Sequence, residues 1–105
     1  KNTARPPQYV GPASTVNNSL ISEGCRIMGT VENSVISGGV VVEKGAVVRD
    51  SVIFEDVVIK KNAKVYTAII DADSVVDSGA VVGVDGASKD DITVIASGSV
   101  VAKSE

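Results

Sequence analysis

The chain has 105 residues, enough for one domain, and carries a net charge of −3. Hydrophobic residues make up 44% of it but aromatic residues only 3%, so the rings that usually fill a globular core are scarce. The lack of a basic excess argues against a nucleic-acid partner, and no apolar run is long enough to span a membrane. The single cysteine, Cys25, excludes an internal disulfide, and with no signal peptide the expected location is cytoplasmic.

The first nine residues, KNTARPPQY, contain two prolines and none of the repeat that follows. We predict that residues 1–9 form a linker into a domain spanning residues 10–105. Because the chain starts at Lys1 rather than at Met, it is expected to be part of a longer protein. Arg5 is a candidate contact to another domain or to an anion, although a solvated side chain is the simpler interpretation.

Aliphatic residues recur along the rest of the chain at nearly constant steps. From Ile36 onward the steps are six, six and five, repeated, and this longer period places Val48, Val65 and Val82 in register. One earlier step, from Ile27 to Val31, is only four, so that coil is two positions shorter than the full period. A step near six, three to a coil, is typical of the hexapeptide repeat. It predicts an all-β fold, a triangular left-handed parallel β-helix of about five coils.

Two positions within the six-residue unit support this fold independently. The fifth residue is small or β-branched, as required beside the axis, and Cys25 occupies this column. The fourth residue forms the corner and is Gly, Asn or Asp in eight of nine units, residue types that tolerate a left-handed backbone. These nine are Ala13, Gly24, Gly39, Gly45, Asp56, Asn62, Asp73, Gly79 and Gly98. The five-residue units carry Ser19, Ser34, Ser51 and Ala68 there, which suggests a different corner.

Residues one full period apart are predicted to stack, and this arranges the charges into ladders. Glu43, Lys60 and Asp77 form an alternating column, and Glu32 lies beneath Arg49; both are most simply solvated surface pairs. Lys44 beneath Lys61 differs, because two stacked ammonium groups repel each other unless an anion lies between them. With Lys60 and Lys64 nearby, we predict here the best candidate anion or effector site in the chain.

Residues 83–94, GVDGASKDDITV, break the repeat and predict a surface loop inserted into a coil. The repeat is expected to resume at Ile95 and to end at Val101.

Catalytic groups are missing from this sequence. It has no histidine, so it lacks both the general base of hexapeptide acyltransferases and the three zinc ligands of hexapeptide carbonic anhydrases. It has no phosphate-cradling glycine loop. We therefore expect no catalytic residue, no metal site and no cofactor in this segment.

Several segments resemble one family, the C-terminal domain of bacterial glucose-1-phosphate adenylyltransferase (ADP-glucose pyrophosphorylase). The resemblance is expected to cover almost the whole chain. The segments that carry it are Pro6-Pro7, NSLISEGCRI at 18–27, NSVISGGVVV at 33–42, VVRDSVI at 47–53, AIID at 68–71 and ITVI at 92–95.

The resemblance implies a longer, Mg²⁺-dependent enzyme that makes ADP-glucose and pyrophosphate from ATP and glucose 1-phosphate in glycogen synthesis. Catalysis would belong to an N-terminal nucleotidyltransferase domain absent from this sequence. This segment would serve regulation and oligomerisation, by packing on the catalytic domain, by joining a homotetramer and by helping to bind an anionic sugar-phosphate effector. Some members have an effector-binding lysine where this chain has Ala96, which puts that contact in doubt.

Two other interpretations remain. The segment could be the β-helix of another sugar-nucleotide pyrophosphorylase, such as a guanylyltransferase, or a free-standing structural solenoid without a catalytic partner.

Overall fold

Short strands wind around a single axis and form three parallel sheets. The computed structural model describes residues 7–104. Sheet A contains β1 (Tyr9–Val10), β4 (Arg26–Ile27), β7 (Val41–Val42), β10 (Val58–Ile59), β13 (Val75–Val76) and β16 (Val100–Val101). Sheet B contains β2 (Thr15–Asn17), β5 (Thr30–Glu32), β8 (Val47–Arg49), β11 (Lys64–Tyr66) and β14 (Val81–Val82). Sheet C contains β3 (Leu20–Ile21), β6 (Val35–Ile36), β9 (Val52–Ile53), β12 (Ala68–Ile70) and β15 (Thr93–Ile95).

Consecutive strands enter sheets A, B and C in turn, so the chain closes a three-sided coil before it starts the next. This confirms the predicted parallel β-helix. About five coils were predicted, and the described sheets hold six, five and five strands. The left-handed winding stays a prediction from the repeat type. Among residues 7–104, no helix is long and apolar enough to cross a membrane.

The strand register confirms the predicted spacing. Val31 pairs with Val48, and Val48 pairs with Val65, so each partner lies one full period further along the chain. The short coil is also where the sequence predicts it, because Val16 pairs with Val31, two positions sooner than the full period would give.

Stacked aliphatic side chains fill the axis of the prism. The inward columns stack β-branched aliphatic residues from coil to coil, as in Ile36, Ile53 and Ile70, all fully buried. Cys25 lies in the small column, where its thiol donates to the carbonyl oxygen of Ser37 at 3.0 Å. Burying a Val or Ile side chain contributes about 1.5–3 kcal/mol, so this core forms without rings.

Two kinds of corner separate the sheets. All eight Gly, Asn and Asp residues predicted at the fourth position have a positive φ, from +59° at Asp56 to +79° at Gly24. At the five-residue units, the positive φ belongs instead to the residue before the serine column. These residues are Asn18, Asn33, Asp50 and Thr67.

Serine hydroxyls join the five-residue corners into a ladder. The Ser34 hydroxyl donates to the carbonyl of Glu32 at 2.8 Å and accepts from the backbone N–H of Ser51 at 3.0 Å. The Ser51 hydroxyl does the same one coil higher, donating to Arg49 and accepting from Ala68 at 3.1 Å. Each of these two hydroxyls therefore closes its own corner and also provides a hydrogen-bond acceptor for a backbone amide of the next coil.

The predicted boundaries need two corrections. Tyr9, which we assigned to the linker, is the first residue of β1 and pairs with Arg26. The inserted loop is shorter than 83–94, because β15 already begins at Thr93, which pairs with Ala68. Backbone pairing with β12 lets the strand begin two residues before Ile95, the position where the aliphatic repeat resumes. The loop therefore spans residues 83–92 and contains a 3₁₀ helix at Lys89–Asp91.

Candidate functional site

Four of the five predicted site residues lie along one edge of the prism, where the chain turns from sheet A into sheet B. The repeat places Lys44 and Lys61 at equivalent points of successive turns, since their neighbours Val42 and Ile59 pair in sheet A. Lys60 belongs to the same turn as Lys61, and Lys64 is the first residue of β11. We call Lys44, Lys60, Lys61 and Lys64 the basic corner. The fifth residue, Arg5, lies outside the described residues.

Two of these lysines are engaged with the protein itself. The Lys60 ammonium lies 3.8 Å from a carboxylate oxygen of Asp77, as the charge ladder predicted. The Lys64 ammonium donates to the carbonyl oxygens of Asn62 and Gly45, at 3.2 and 3.4 Å. Asp77 therefore partly neutralises the charge of Lys60, and the two carbonyl oxygens hold the Lys64 side chain in place.

The other two lysines are exposed, and their ammonium groups have no hydrogen bond or ion pair with any described residue. Their backbones are fixed: the amide of Asn62 donates to the carbonyl of Lys44 at 3.2 Å. The amide of Lys61 donates to a carboxylate oxygen of Glu43 at 3.1 Å. The Glu43 carboxylate thus accepts a hydrogen bond from the backbone of the next coil. It does not pair with the Lys60 side chain, as the predicted charge ladder would have it. Lys44 and Lys61 are therefore two exposed cations at equivalent points of successive turns.

A cavity beside Lys44 was not found from the sequence. It has a volume of about 220 Å³ and is lined by Tyr9, Gly11, Pro12, Ala13, Met28 and Lys44. It lies at the shortened coil, so the short step from Ile27 to Val31 was the signal that could have revealed it.

A second charged cluster lies on sheet B. Arg49 donates to Glu32 at 2.7 Å, as predicted, and also to Asp85 of the inserted loop at 2.9 Å. Its guanidinium stacks on the Tyr66 ring, 5.8 Å from the centroid. The bond to Glu32 and then the bond to Asp85 raise the pKa of Arg49. The two ion pairs fasten the loop to the coils.

The acidic side chains between residues 7 and 104 do not assemble a metal centre. Within residues 7–104, no group of three or more Asp, Glu, Cys or His side chains could hold a metal ion. Asp77 faces Lys60, and the Asp71 carboxylate accepts from the next backbone amide at 2.8 Å.

Residues 7–103 match the hexapeptide family described as GlmU-like, C-terminal hexapeptide. The chain belongs to this family. It is also similar to named enzymes: glucose-1-phosphate adenylyltransferase of Clostridioides difficile (strain 630) is 58% identical over 45 residues, which is 43% of this chain and 12% of the relative. The Geobacillus stearothermophilus enzyme of the same name is 52% identical over 48 residues, 46% of this chain and 12% of that protein.

These matches are narrower than the near-complete resemblance that we expected, and the aligned part spans about an eighth of the length of the relatives. Among solved structures, the acetyltransferase domain of PglB from Neisseria gonorrhoeae FA1090 has a similar fold, with a TM-score of 0.68. It covers 93% of this chain and 55% of that one at 21% identity, which supports the β-helix alone.

Proposed function

We propose that this chain is the C-terminal β-helical domain of a cytoplasmic enzyme that makes ADP-glucose and pyrophosphate from ATP and glucose 1-phosphate for glycogen synthesis. The observation that carries the proposal is the 58% identity over 45 residues to an adenylyltransferase of that name. Such identity exceeds what a shared hexapeptide period requires, since the PglB domain has the fold at only 21% identity. Catalysis and Mg²⁺ belong to an N-terminal domain outside this sequence.

The role proposed for this segment is to hold other domains and subunits together. Its support is a column of outward-facing aliphatic side chains along sheet C. Leu20, Val35 and Val94 are 70%, 43% and 66% exposed, and Val52 and Ile69 complete the column in continuous register.

Sheet A carries a second such column, in which Val41, Val58, Val75 and Val100 pair in succession. Contiguous apolar surfaces of this kind mark protein contacts. Sheet B contrasts with both, because its outward positions include Glu32, Arg49 and Lys64. We assign sheets A and C to the enzyme's own catalytic domain and to further copies in a homotetramer.

The regulatory part of the proposal rests on the basic corner. Lys44 and Lys61 have exposed ammonium groups without partners in the described part of the chain, and an anionic sugar phosphate supplies the charge that their stacking lacks. Lys60, Lys64 and Arg5 are the proposed supporting contacts. Ala96 cannot provide a cationic contact.

Two other functions have less support. A guanylyltransferase β-helix shares the period but not the name of the relatives, and a free-standing solenoid would have no catalytic partner. An acetyltransferase, suggested only by the fold neighbour, would need a base other than histidine, which this sequence lacks.

The experiment that tests the proposal is a substrate-selectivity assay on the full-length protein that contains this segment. Pyrophosphate release is measured with ATP or GTP, each combined with glucose 1-phosphate or mannose 1-phosphate. We expect product only from ATP with glucose 1-phosphate. Selectivity for GTP with mannose 1-phosphate would establish the guanylyltransferase instead, and a reading frame ending with this segment would establish the solenoid.

A further inference from the structure

The short coil removes two residues from one corner of the prism. Neighbouring turns from sheet A to sheet B have four residues between the strands, at 11–14 and 43–46, whereas the turn between β4 and β5 has only Met28 and Gly29. Strands in a sheet are about 4.8 Å apart, so the recessed turn lies between two full turns separated by about 10 Å. A notch results.

The recess is fixed by the backbone and cannot bulge outward to fill the space. A Cβ at Gly29 would overlap the carbonyl oxygens of Ala46 and Glu43, so the turn lies directly against the coil above. The amide of Thr30 donates to Ala46 at 2.9 Å, and the carbonyl of Gly29 accepts from Thr15 at 3.1 Å. The notch is therefore built into the register.

The walls of the notch are apolar with one charged exception. Tyr9, Pro12, Ala13 and Met28 form most of the lining, together with Gly11 and Lys44. Arg26 supports the Tyr9 ring, since its guanidinium stacks 5.0 Å from the ring centroid. Because the volume is about 220 Å³, below the roughly 300–1,000 Å³ of sites for drug-sized molecules, only a small ligand fits.

Lys44 determines the charge of that ligand. Lys60 and Lys64 are engaged by Asp77 and by carbonyl oxygens, but the Lys44 ammonium has no partner among the described residues. A cation beside an apolar cavity favours a ligand with both an anionic head and an apolar body. A bare inorganic anion would leave the apolar walls in contact with water.

We propose that the notch formed by Tyr9, Gly11, Pro12, Ala13, Met28 and Lys44 binds a small organic carboxylate with a compact apolar body. The body packs on Met28 and the Tyr9 ring, and the carboxylate pairs with Lys44. This site does not depend on the proposed enzyme activity. It shares Lys44 with the proposed sugar-phosphate contact but does not use Lys61.

The test is an NMR titration of the 105-residue chain with benzoate. We expect saturable shifts of the Met28 methyl group and of Tyr9 and Gly11. The uncharged analogue benzyl alcohol should bind several-fold more weakly, and inorganic phosphate should not shift the Met28 methyl group. Shifts that do not saturate, that lie elsewhere, or that are matched by benzyl alcohol would overturn the proposal.

Two variants separate the notch from the rest of the basic corner. Lys44→Gln should weaken benzoate binding about threefold to fivefold, the range of an exposed ion pair, while the matched Lys61→Gln should leave it unchanged. Equal effects of the two variants would contradict the proposal.

Gly11→Val places methyl groups in the notch, because a Cβ at Gly11 lies 3.5 Å from Met28 and 3.6 Å from the Tyr9 ring. Benzoate binding should be lost while resonances of distant coils stay unchanged, which verifies the fold. Retained binding in a folded Gly11→Val variant would likewise contradict it.

Discussion

Single hydroxyl groups stabilise the five-residue corners of this β-helix. The Ser51 hydroxyl is buried, donates to the carbonyl of Arg49 and accepts from the amide of Ala68. Ser51→Ala should lower the free energy of unfolding by about 1–3 kcal/mol, because it leaves a buried amide without a partner. Chemical denaturation measures the loss. Ser22→Ala, at an exposed serine, is the control and should change stability little; an equal loss in both would contradict the ladder.

Thr67 occupies a left-handed corner position that the other coils fill with Asn or Asp. It has a φ of +47°, where the coils below have Asn18, Asn33 and Asp50, and its buried hydroxyl has no hydrogen-bond partner in the described part of the chain. A β-branched residue is strained in this backbone region, whereas Asn tolerates it.

Thr67→Asn should therefore raise the free energy of unfolding by about 1 kcal/mol. The reciprocal change, Asp50→Thr, should lower it by a similar amount. Thermal unfolding of the two variants gives the comparison, and a destabilised Thr67→Asn protein would show that packing under the loop outweighs backbone strain.

The sequence predicts the backbone conformation of a residue well where only a few residue types can adopt that conformation. Gly24 and Asn62 mark left-handed corners because few other residues adopt that backbone. Thr67 carries no such mark, and its positive φ follows only from the coils stacked beneath it. The serine hydrogen bonds are also invisible in sequence, since hydroxyl direction depends on the neighbouring coil.

At the scale of elements, the inserted loop is held by one arginine. Arg49 joins Glu32 of β5 to Asp85 of the loop, and these two bonds raise the pKa of its guanidinium. The guanidinium of Arg49 is protonated at all ordinary pH values, so it can hold Asp85 of the loop throughout that range.

Asp85→Asn should loosen the loop without unfolding the coils, because it removes half of the charge pairing at Arg49. Amide hydrogen exchange should speed up within residues 83–92 and stay unchanged in β11. Asp90→Asn changes an exposed loop carboxylate that has no ion pair in residues 7–104 and is the matched control. Equal exchange in the two variants would show that the ion pair between Arg49 and Asp85 does not hold the loop.

The loop illustrates where element prediction fails. The break at Gly83 is evident from the sequence, but the return to the sheet is not, because Thr93 and Val94 join β15 through backbone pairing with β12. The notch was missed for a related reason. The short step from Ile27 to Val31 predicts a short coil, but not that Tyr9 and Met28 enclose a cavity there.

At the scale of the whole molecule, the aliphatic column on sheet C should drive association. Val94→Lys introduces a charge at the 66% exposed top of the column, where it faces solvent and leaves the core intact. We expect a smaller sedimentation coefficient than for the unmodified chain at the same concentration. Val81→Lys on sheet B, 59% exposed, is the matched control and should leave the sedimentation coefficient unchanged. Equal effects would mean that sheet C is not the contact face.

The proposed role that most needs a direct test is that this domain holds subunits together. The most direct measurement is the molar mass of the 105-residue chain in solution by light scattering. We predict a mass of at least twice the 10.7 kDa of one chain, because association of copies would remove the aliphatic columns on sheets A and C from water. A mass of 10.7 kDa across the micromolar range would contradict the assembly role.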